Sequence, residues 1–145
     1  MKILFTSIAI LFSTIMYSQD RNITVNVQTQ SIAVSLDDDN AEKNIYINTS
    51  SAVTAEDMLL IAVLFWKDEQ DWNRKFIIND EEGNDIAILT LAKKQGIYCE
   101  KLSTIVPLLT KGKPYYLYTA ALPKDPKLAM VVKVPRVLVC KIIVI

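Results

Sequence analysis

Histidine is the side chain most often recruited for acid–base and nucleophilic catalysis near neutral pH, and this sequence of 145 residues contains none. That excludes Ser-His-Asp and Cys-His arrangements and histidine-ligated zinc. A lysine or carboxylate mechanism remains open, but no pair of carboxylates stands out from the turns that hold the acidic residues. We therefore predict a protein without catalytic residues. The alternative is a small histidine-free enzyme with a buried lysine or carboxylate.

The two cysteines, Cys99 and Cys140, are the next candidates for chemistry. In an exported protein a disulfide between them can persist, and closing a loop of roughly 40 residues stabilises a fold by about 4 kcal/mol on the chain-entropy model. The alternative is two separate buried thiols that behave as small apolar groups. The sequence leaves both open, because it does not show how far apart the two residues lie in space.

Two acidic clusters, DDDN at 37–40 and NDEEGND at 79–85, carry the oxygen ligands that calcium prefers. The second cluster does not fit the EF-hand pattern. Counted from Asp80, the sixth position is Asp85 instead of glycine, and the twelfth is Leu91 instead of glutamate. Acidic residues are also ordinary in solvated turns between strands. We predict turns at both clusters, with neither a metal site nor a cofactor.

Two tyrosines, Tyr116 and Tyr118, alternate with apolar residues in KPYYLYTAAL and should share one face of a strand. Neighbouring tyrosines on a sheet face form a recognition patch, because each offers a large amphipathic area at small entropic cost. We predict a binding face here. The alternative is that a loop or a neighbouring strand covers both rings.

The C-terminal stretch VVKVPRVLVCKIIVI predicts a half-buried strand. Lys133, Arg136 and Lys141 interrupt it before it reaches the roughly twenty apolar residues of a transmembrane helix, so we predict no membrane span in the mature chain. In steps of two, its apolar face is formed by Met130, Val132, Val134, Leu138, Cys140, Ile142 and Val144.

An edge position is predicted for this last strand, at Pro135, Val137 and Val139. Proline supplies no N–H and would leave a gap in a central ladder. Pro135 and the nearby lysines would protect such an edge from pairing. The alternative is that the edge accepts or donates a strand in a partner chain.

The N-terminal segment 1–18 reads as an export signal. It has Lys2, an apolar run from Ile3 to Met16 that is too short to span a membrane, and the small residue Ser18 before the expected cut. We predict a mature chain of one domain, 19–145, in the periplasm, at the cell surface or outside the cell. Without Lys2, 15 of the 16 basic residues remain against 16 acidic ones, and this balance argues against nucleic acid as a partner.

The elements that position these residues are predicted to be strands, because short β-branched segments alternate with polar turns. We predict an all-β fold, a single antiparallel β-sandwich of about seven to nine strands. The clearest hairpin is KFIIND–EEGN–DIAILTL, with Gly83 in the turn. The apolar run 58–66 fits a strand or a helix, and its branched and aromatic residues favour a strand. In NITVNVQTQSIAVSL the apolar phase changes near Gln30 and Ser31, which predicts a bulge or a turn there.

Around LLTKGKPYYLYTAAL the sequence resembles the corner of fibronectin type III and immunoglobulin-like domains, with Leu109, Gly112 and Tyr115 at the matching spacing. The resemblance implies that the tyrosine hydroxyl bonds to nearby backbone, and that Trp66 takes the place of a buried tryptophan. The cysteines depart from the immunoglobulin pattern, since both lie late in the chain.

These features together predict an exported, non-catalytic binding module whose partner is a protein or a cell-surface component. A second hypothesis is a subunit or chaperone of a surface fibre that pairs through its last strand. The sequence leaves the oligomeric state open.

Overall fold

The computed structural model describes residues 22–50, 56–63, 72–91, 96–131 and 136–145. The predicted signal peptide, Trp66 and Pro135 lie outside these ranges.

Nine strands form within the described ranges, so the all-β prediction is confirmed. They are β1 (Asn22–Val27), β2 (Gln30–Ser35), β3 (Asn44–Ile47), β4 (Met58–Val63), β5 (Trp72–Asn79), β6 (Asp85–Leu91), β7 (Ile97–Lys101), β8 (Pro114–Pro123) and β9 (Val137–Val144). The described helices are short: α1 (Leu102–Ile105), a 3-10 turn (Val106–Leu108) and α2 (Pro126–Val131).

The strands follow the order β2-β1-β4-β7-β6-β5-β8-β9-β3. Neighbours are antiparallel except β3 and β9, which are parallel. Among the described residues, β6 pairs with β7 at two register positions, Thr90–Cys99 and Leu91–Tyr98. This narrow junction divides the strands into two sheets, one ending at β2 and the other at β3.

Strict alternation of apolar residues builds β1 and β2. Ile23, Val25 and Val27 are at most 1% exposed, and the residues between them face outward. The predicted change of phase is a hairpin turn at Gln28 and Thr29, where Gln28 takes a positive φ of 52°.

The β5–β6 hairpin is confirmed, with Gly83 at φ 88°. Asp80 organises its turn: Oδ1 accepts the backbone N–H groups of Glu82 and Asn84, both at 2.9 Å. The strand interpretation of 58–66 is confirmed for Met58–Val63, and its remaining residues lie outside the described ranges.

Among the described residues, one cluster of buried side chains from both sheets forms the core, and Phe76 is its largest fully buried member. Its ring lies 4.8 Å from that of Tyr98, with the two planes 57° apart. Because Phe76 lies on β5 and Tyr98 on β7, this contact links the two sheets across the interior.

The last strand is largely buried, as predicted, but its pattern differs from simple alternation. The pairing with β8 shifts at Leu117/Tyr118, which leaves Val139 as a bulge residue. As a result Val139 and Cys140 are both buried, followed by Ile142 and Val144. A bulge inserts one unpaired residue and so changes which face the following side chains occupy.

Two predictions for this segment need correction. β9 is not an edge strand along its whole length, because β3 pairs with it from Lys141 to Val144. Val137 and Val139 precede the part of β9 that pairs with β3, and beside them the amide of Asn40 donates to the carbonyl of Leu138 at 3.1 Å. Met130 belongs to helix α2 and is 87% exposed, so it does not continue the buried face.

A side-chain bond fixes the loop that precedes β8. The hydroxyl of Tyr115 accepts the N–H of Thr110 at 2.7 Å, Leu109 is buried and Gly112 takes a φ of 84°. This bond holds the loop between the 3-10 turn and β8.

The described helices are too short and too polar for a membrane crossing, and none qualifies as a candidate span.

Candidate functional site

The two tyrosines of the predicted binding face lie side by side on β8. The ring centroids of Tyr116 and Tyr118 are 6.5 Å apart, and the ring planes differ by 33°. Both side chains are half-buried, and both point away from the buried residues Tyr115, Leu117 and Thr119. The predicted alternation therefore places the pair on the outward face of this sheet.

An apolar row crosses this outward face at Tyr118. Its cross-strand neighbours are Ile77 on β5 and Leu138 on β9, and Ile77 in turn pairs with Ile88 on β6. Cross-strand partners share a face of the sheet, so the four side chains form a continuous band. Ile77 is 5% exposed, whereas Ile88 at the end of the row is 51% exposed.

A polar row runs beside it at Tyr116, between Asn79 on β5 and Lys141 on β9. Asn79 is only 3% exposed and donates through Nδ2 to Gly83 O at 2.9 Å and to Asp85 Oδ1 at 3.1 Å. Its own Oδ1 accepts Arg136 at 3.4 Å. The buried amide thus holds the hairpin turn against the start of β9.

An ion pair lies at the end of the polar row. Arg136 donates to Asp85 at 2.7 and 3.3 Å, and both side chains are nearly half exposed. The hydrogen bond from Arg136, more than the attraction between the charges, lowers the pKa of Asp85 below its ordinary value of 3.8. The same hydrogen bond raises the pKa of Arg136.

The acid dependence of stability should reveal this pair. Because the folded-state pKa of Asp85 is lowered, its stabilising contribution is complete above the unfolded-state pKa and is lost as pH falls through the folded-state value. We expect Arg136→Ala and Asp85→Asn each to lower the urea midpoint slightly near neutral pH and to converge with wild type near about pH 2. A difference that persists undiminished in acid would mean that packing, not charge, accounts for the loss.

The two cysteines lie in different environments, and the structure shows no disulfide between them. Cys140 is fully buried in the core. Cys99 is half-buried on the outward face of β7, opposite Leu60, whose side chain is 38% exposed. The sequence left the disulfide open, and the structure has two separate thiols instead, Cys140 in the core and Cys99 on the outward face of β7.

Thiol labelling checks this arrangement. Burial raises the pKa of the Cys140 thiol from 9.0 to about 12, which lowers its thiolate fraction about a thousandfold at neutral pH. We expect a thiol reagent to modify Cys99 in the folded protein, and Cys140 only after denaturation. Peptide mapping by mass spectrometry assigns the sites. Equal labelling of both in the folded state, or no labelling after denaturation without reductant, would contradict the structure.

The acidic clusters form turns, as predicted. Besides the bonds to Oδ1, Asp80 Oδ2 accepts Asn84 Nδ2 at 2.9 Å, and these bonds lower the pKa of Asp80. In the first cluster Asp39 Oδ1 accepts the N–H of Ala41 at 3.0 Å. Within the described ranges no three His, Cys, Asp or Glu side chains come close enough to hold a metal ion.

The sequence did not predict that Asn79, Asp85 and Arg136 form hydrogen bonds with one another. One signal was present: Arg136 interrupts an otherwise apolar alternation, and a charge in such a position needs a partner. The identity of that partner depends on the approach of β5 and β9 to β8 from either side, which sequence spacing does not contain.

Compared with protein-family models, curated proteins and solved structures, the chain matches none.

Proposed function

We propose that the protein is an exported, non-catalytic binding module, a β-sandwich of two packed sheets whose ligand face is the outward side of β5, β8 and β9. The observation that carries the proposal is the adjacent, half-exposed pair Tyr116 and Tyr118 in the middle of that face. Neither ring is needed for the core, which the opposite side of β8 fills.

The composition of the face suits a protein partner or another cell-surface component. Aromatic side chains and arginine are enriched at the centres of protein interfaces, and polar groups form the rim. Here the tyrosines occupy the centre, while Arg136, Asp85 and Lys141 lie around them. The apolar row through Ile77 supplies a rigid base, so little conformational entropy is lost when a ligand binds.

The buried polar groups support a non-catalytic role. An enzyme without histidine would need a lysine or carboxylate in a desolvated site. The buried polar residues among those described are Asn40, Asn79 and Thr119, all uncharged. Thr119 accepts Arg74 Nη1 and donates to Lys75 O, both at 3.1 Å, so it serves the packing of β5 on β8.

A double variant tests the binding face. We expect Tyr116→Ser with Tyr118→Ser to weaken partner binding by at least about 30-fold, since one interface hot spot is worth about 2 kcal/mol. Immobilised protein is incubated with a cell-envelope extract of the producing organism, and the retained component is then titrated against each variant by calorimetry.

Leu60→Ser is the matched control, because Leu60 is a similarly exposed apolar residue on the other sheet. It should bind as wild type does. A component that all three proteins hold equally would contradict the proposed face, provided that circular dichroism shows all three folded.

A further inference from the structure

The two terminal strands of the strand order, β2 and β3, meet each other through side chains. β3 bonds to the C-terminal segment with alternate residues: Lys43 O accepts Lys141 N at 2.8 Å, and Ile47 O accepts Ile145 N at 2.9 Å. The backbone groups of the residues between them, including Tyr46, therefore point to the other side, where none of the described strands pairs with β3.

Two glutamine side chains form hydrogen bonds with those outward backbone groups. Gln30 accepts the N–H of Tyr46 at 2.9 Å and donates to its carbonyl. Gln28 accepts the N–H of Asn48 at 3.0 Å and donates to its carbonyl at 2.9 Å. A carboxamide has one acceptor and a donor, as a peptide group has, so each glutamine takes the place of one residue of a pairing strand. We call these four bonds the glutamine seam.

The edge behind the seam lacks the usual protection against pairing. Natural edge strands carry charges, prolines or bulges that block association with another chain. The described residues from β3 onward, 44–50 (NIYINTS), include no charged residue and no proline. Ile45 and Ile47 are fully buried, so the strand is firmly held in an extended form that suits pairing.

The outward groups of β3 are arranged symmetrically about Tyr46, with Asn44 and Asn48 two residues on either side. A two-fold axis at Tyr46 would pair this residue with its own copy, and Asn44 with Asn48 of a second chain, in an antiparallel ladder. We propose that the glutamine seam blocks a homodimerisation edge. When the four bonds of the seam break, β3 pairs with β3 of a second copy of this chain. This surface is separate from the tyrosine face and does not depend on the proposed function.

The test removes the side chains that occupy the edge. In Gln28→Ala with Gln30→Ala, all four bonds are lost, and so is the side-chain bulk that would keep a second strand away from β3. We expect wild type to be monomeric and the double variant to have twice the mass by size exclusion with light scattering. Thr29→Ala, in the same turn, is the matched control and should stay monomeric, because no seam bond involves Thr29.

A third substitution shows where the dimer forms. The N–H of Tyr46 points away from β9, so Tyr46→Pro removes the outward donor and leaves the parallel pairing intact. Added to the double variant, it should restore the monomer. A folded double variant that remains monomeric, or a dimer that persists with Tyr46→Pro, would overturn the proposal.

Hydrogen exchange of the wild-type protein keeps the test decisive if the double variant does not fold. The seam predicts that the amides of Tyr46 and Asn48 exchange roughly tenfold or more slowly than in an unstructured chain. Exchange at the unstructured rate would show that the glutamines do not hold the edge, and the proposal would then be wrong.

Discussion

Phe76→Ala should lower the free energy of unfolding by about 3–5 kcal/mol, the largest loss we expect from one substitution. Phe76 is the largest fully buried side chain among the described residues, with 0% exposure. Its ring contacts Tyr98 on β7, so it fills space between the two sheets as well as within its own. Because Phe76 lies on β5 and Tyr98 on β7, their packing adds to the attachment between the sheets.

Such a loss takes a large part of the stability of a domain of this size, for which about 5–15 kcal/mol is usual. The thermal midpoint should fall by on the order of 15 °C. Urea unfolding followed by tyrosine and tryptophan fluorescence measures the change. Phe76→Leu should cost less, because it leaves a smaller cavity.

Leu128→Ala is the control for this prediction. Leu128 is 52% exposed on α2, and alanine favours helix, so its stability should stay within about 0.5 kcal/mol of wild type. If Leu128→Ala lowered the free energy of unfolding as much as Phe76→Ala, the core would not lie where the structure places it.

Local pattern predicted the elements whose contacts are close in sequence. The β5–β6 hairpin follows from two alternating runs around Gly83, and the outward position of Tyr116 and Tyr118 follows from the period of two in a strand. The bond from Thr110 to Tyr115 spans five residues. In each case the information lies within one turn and its flanking strands.

Long-range pairing accounts for what the sequence could not predict. The burial of β9 depends on β3, almost a hundred residues earlier, whose parallel pairing leaves no hairpin signal between the two strands. The bulge at Val139 also changes the side-chain phase, so counting in steps of two from Met130 cannot find every buried residue. The cysteines illustrate the same limit: their strands are identifiable, but the side of the sheet each thiol faces depends on the register.

Polar side chains that replace backbone partners are also hard to predict. In the sequence alone, Gln28 and Gln30 are polar residues near a turn, and Asn40 is the last residue of an acidic turn. All three bond to backbone groups of distant strands. Only the approach of β2 to β3 and β9 gives those amides their partners, and that approach is a property of the whole strand order.

Asn40→Ala is the second substitution for which we expect a large loss, about 2 kcal/mol. Asn40 is 2% exposed, and its Nδ2 donates to Ser35 O at 2.9 Å and to Leu138 O at 3.1 Å. Alanine leaves two carbonyl groups without this donor. It also removes Asn40 Oδ1, which is buried without a partner among the described residues, and this partly offsets the loss.

Asn40→Asp separates the hydrogen bonds from the size of the side chain. An ionised aspartate has no N–H to donate and faces the same two carbonyl oxygens, so near neutral pH it should be at least as destabilising as alanine. Acidification should restore part of the stability, because a protonated carboxyl group can donate one bond. Chemical unfolding at several pH values measures both effects, and Glu42→Ala, at an exposed neighbouring position, is the control.

The link from Asn40 to β2 and β9 should also act together with the glutamine seam, since the seam joins the β1–β2 hairpin to β3, the strand that pairs with β9. We expect the losses from Asn40→Ala and Gln30→Met to be non-additive, with a coupling of at least about 0.5 kcal/mol in a double-mutant cycle. Strict additivity would mean that β2 is held at each point independently. Coupling would mean that the two ends of the strand order open as one unit, with the amides of Asn40, Gln28 and Gln30 as the bonds that break.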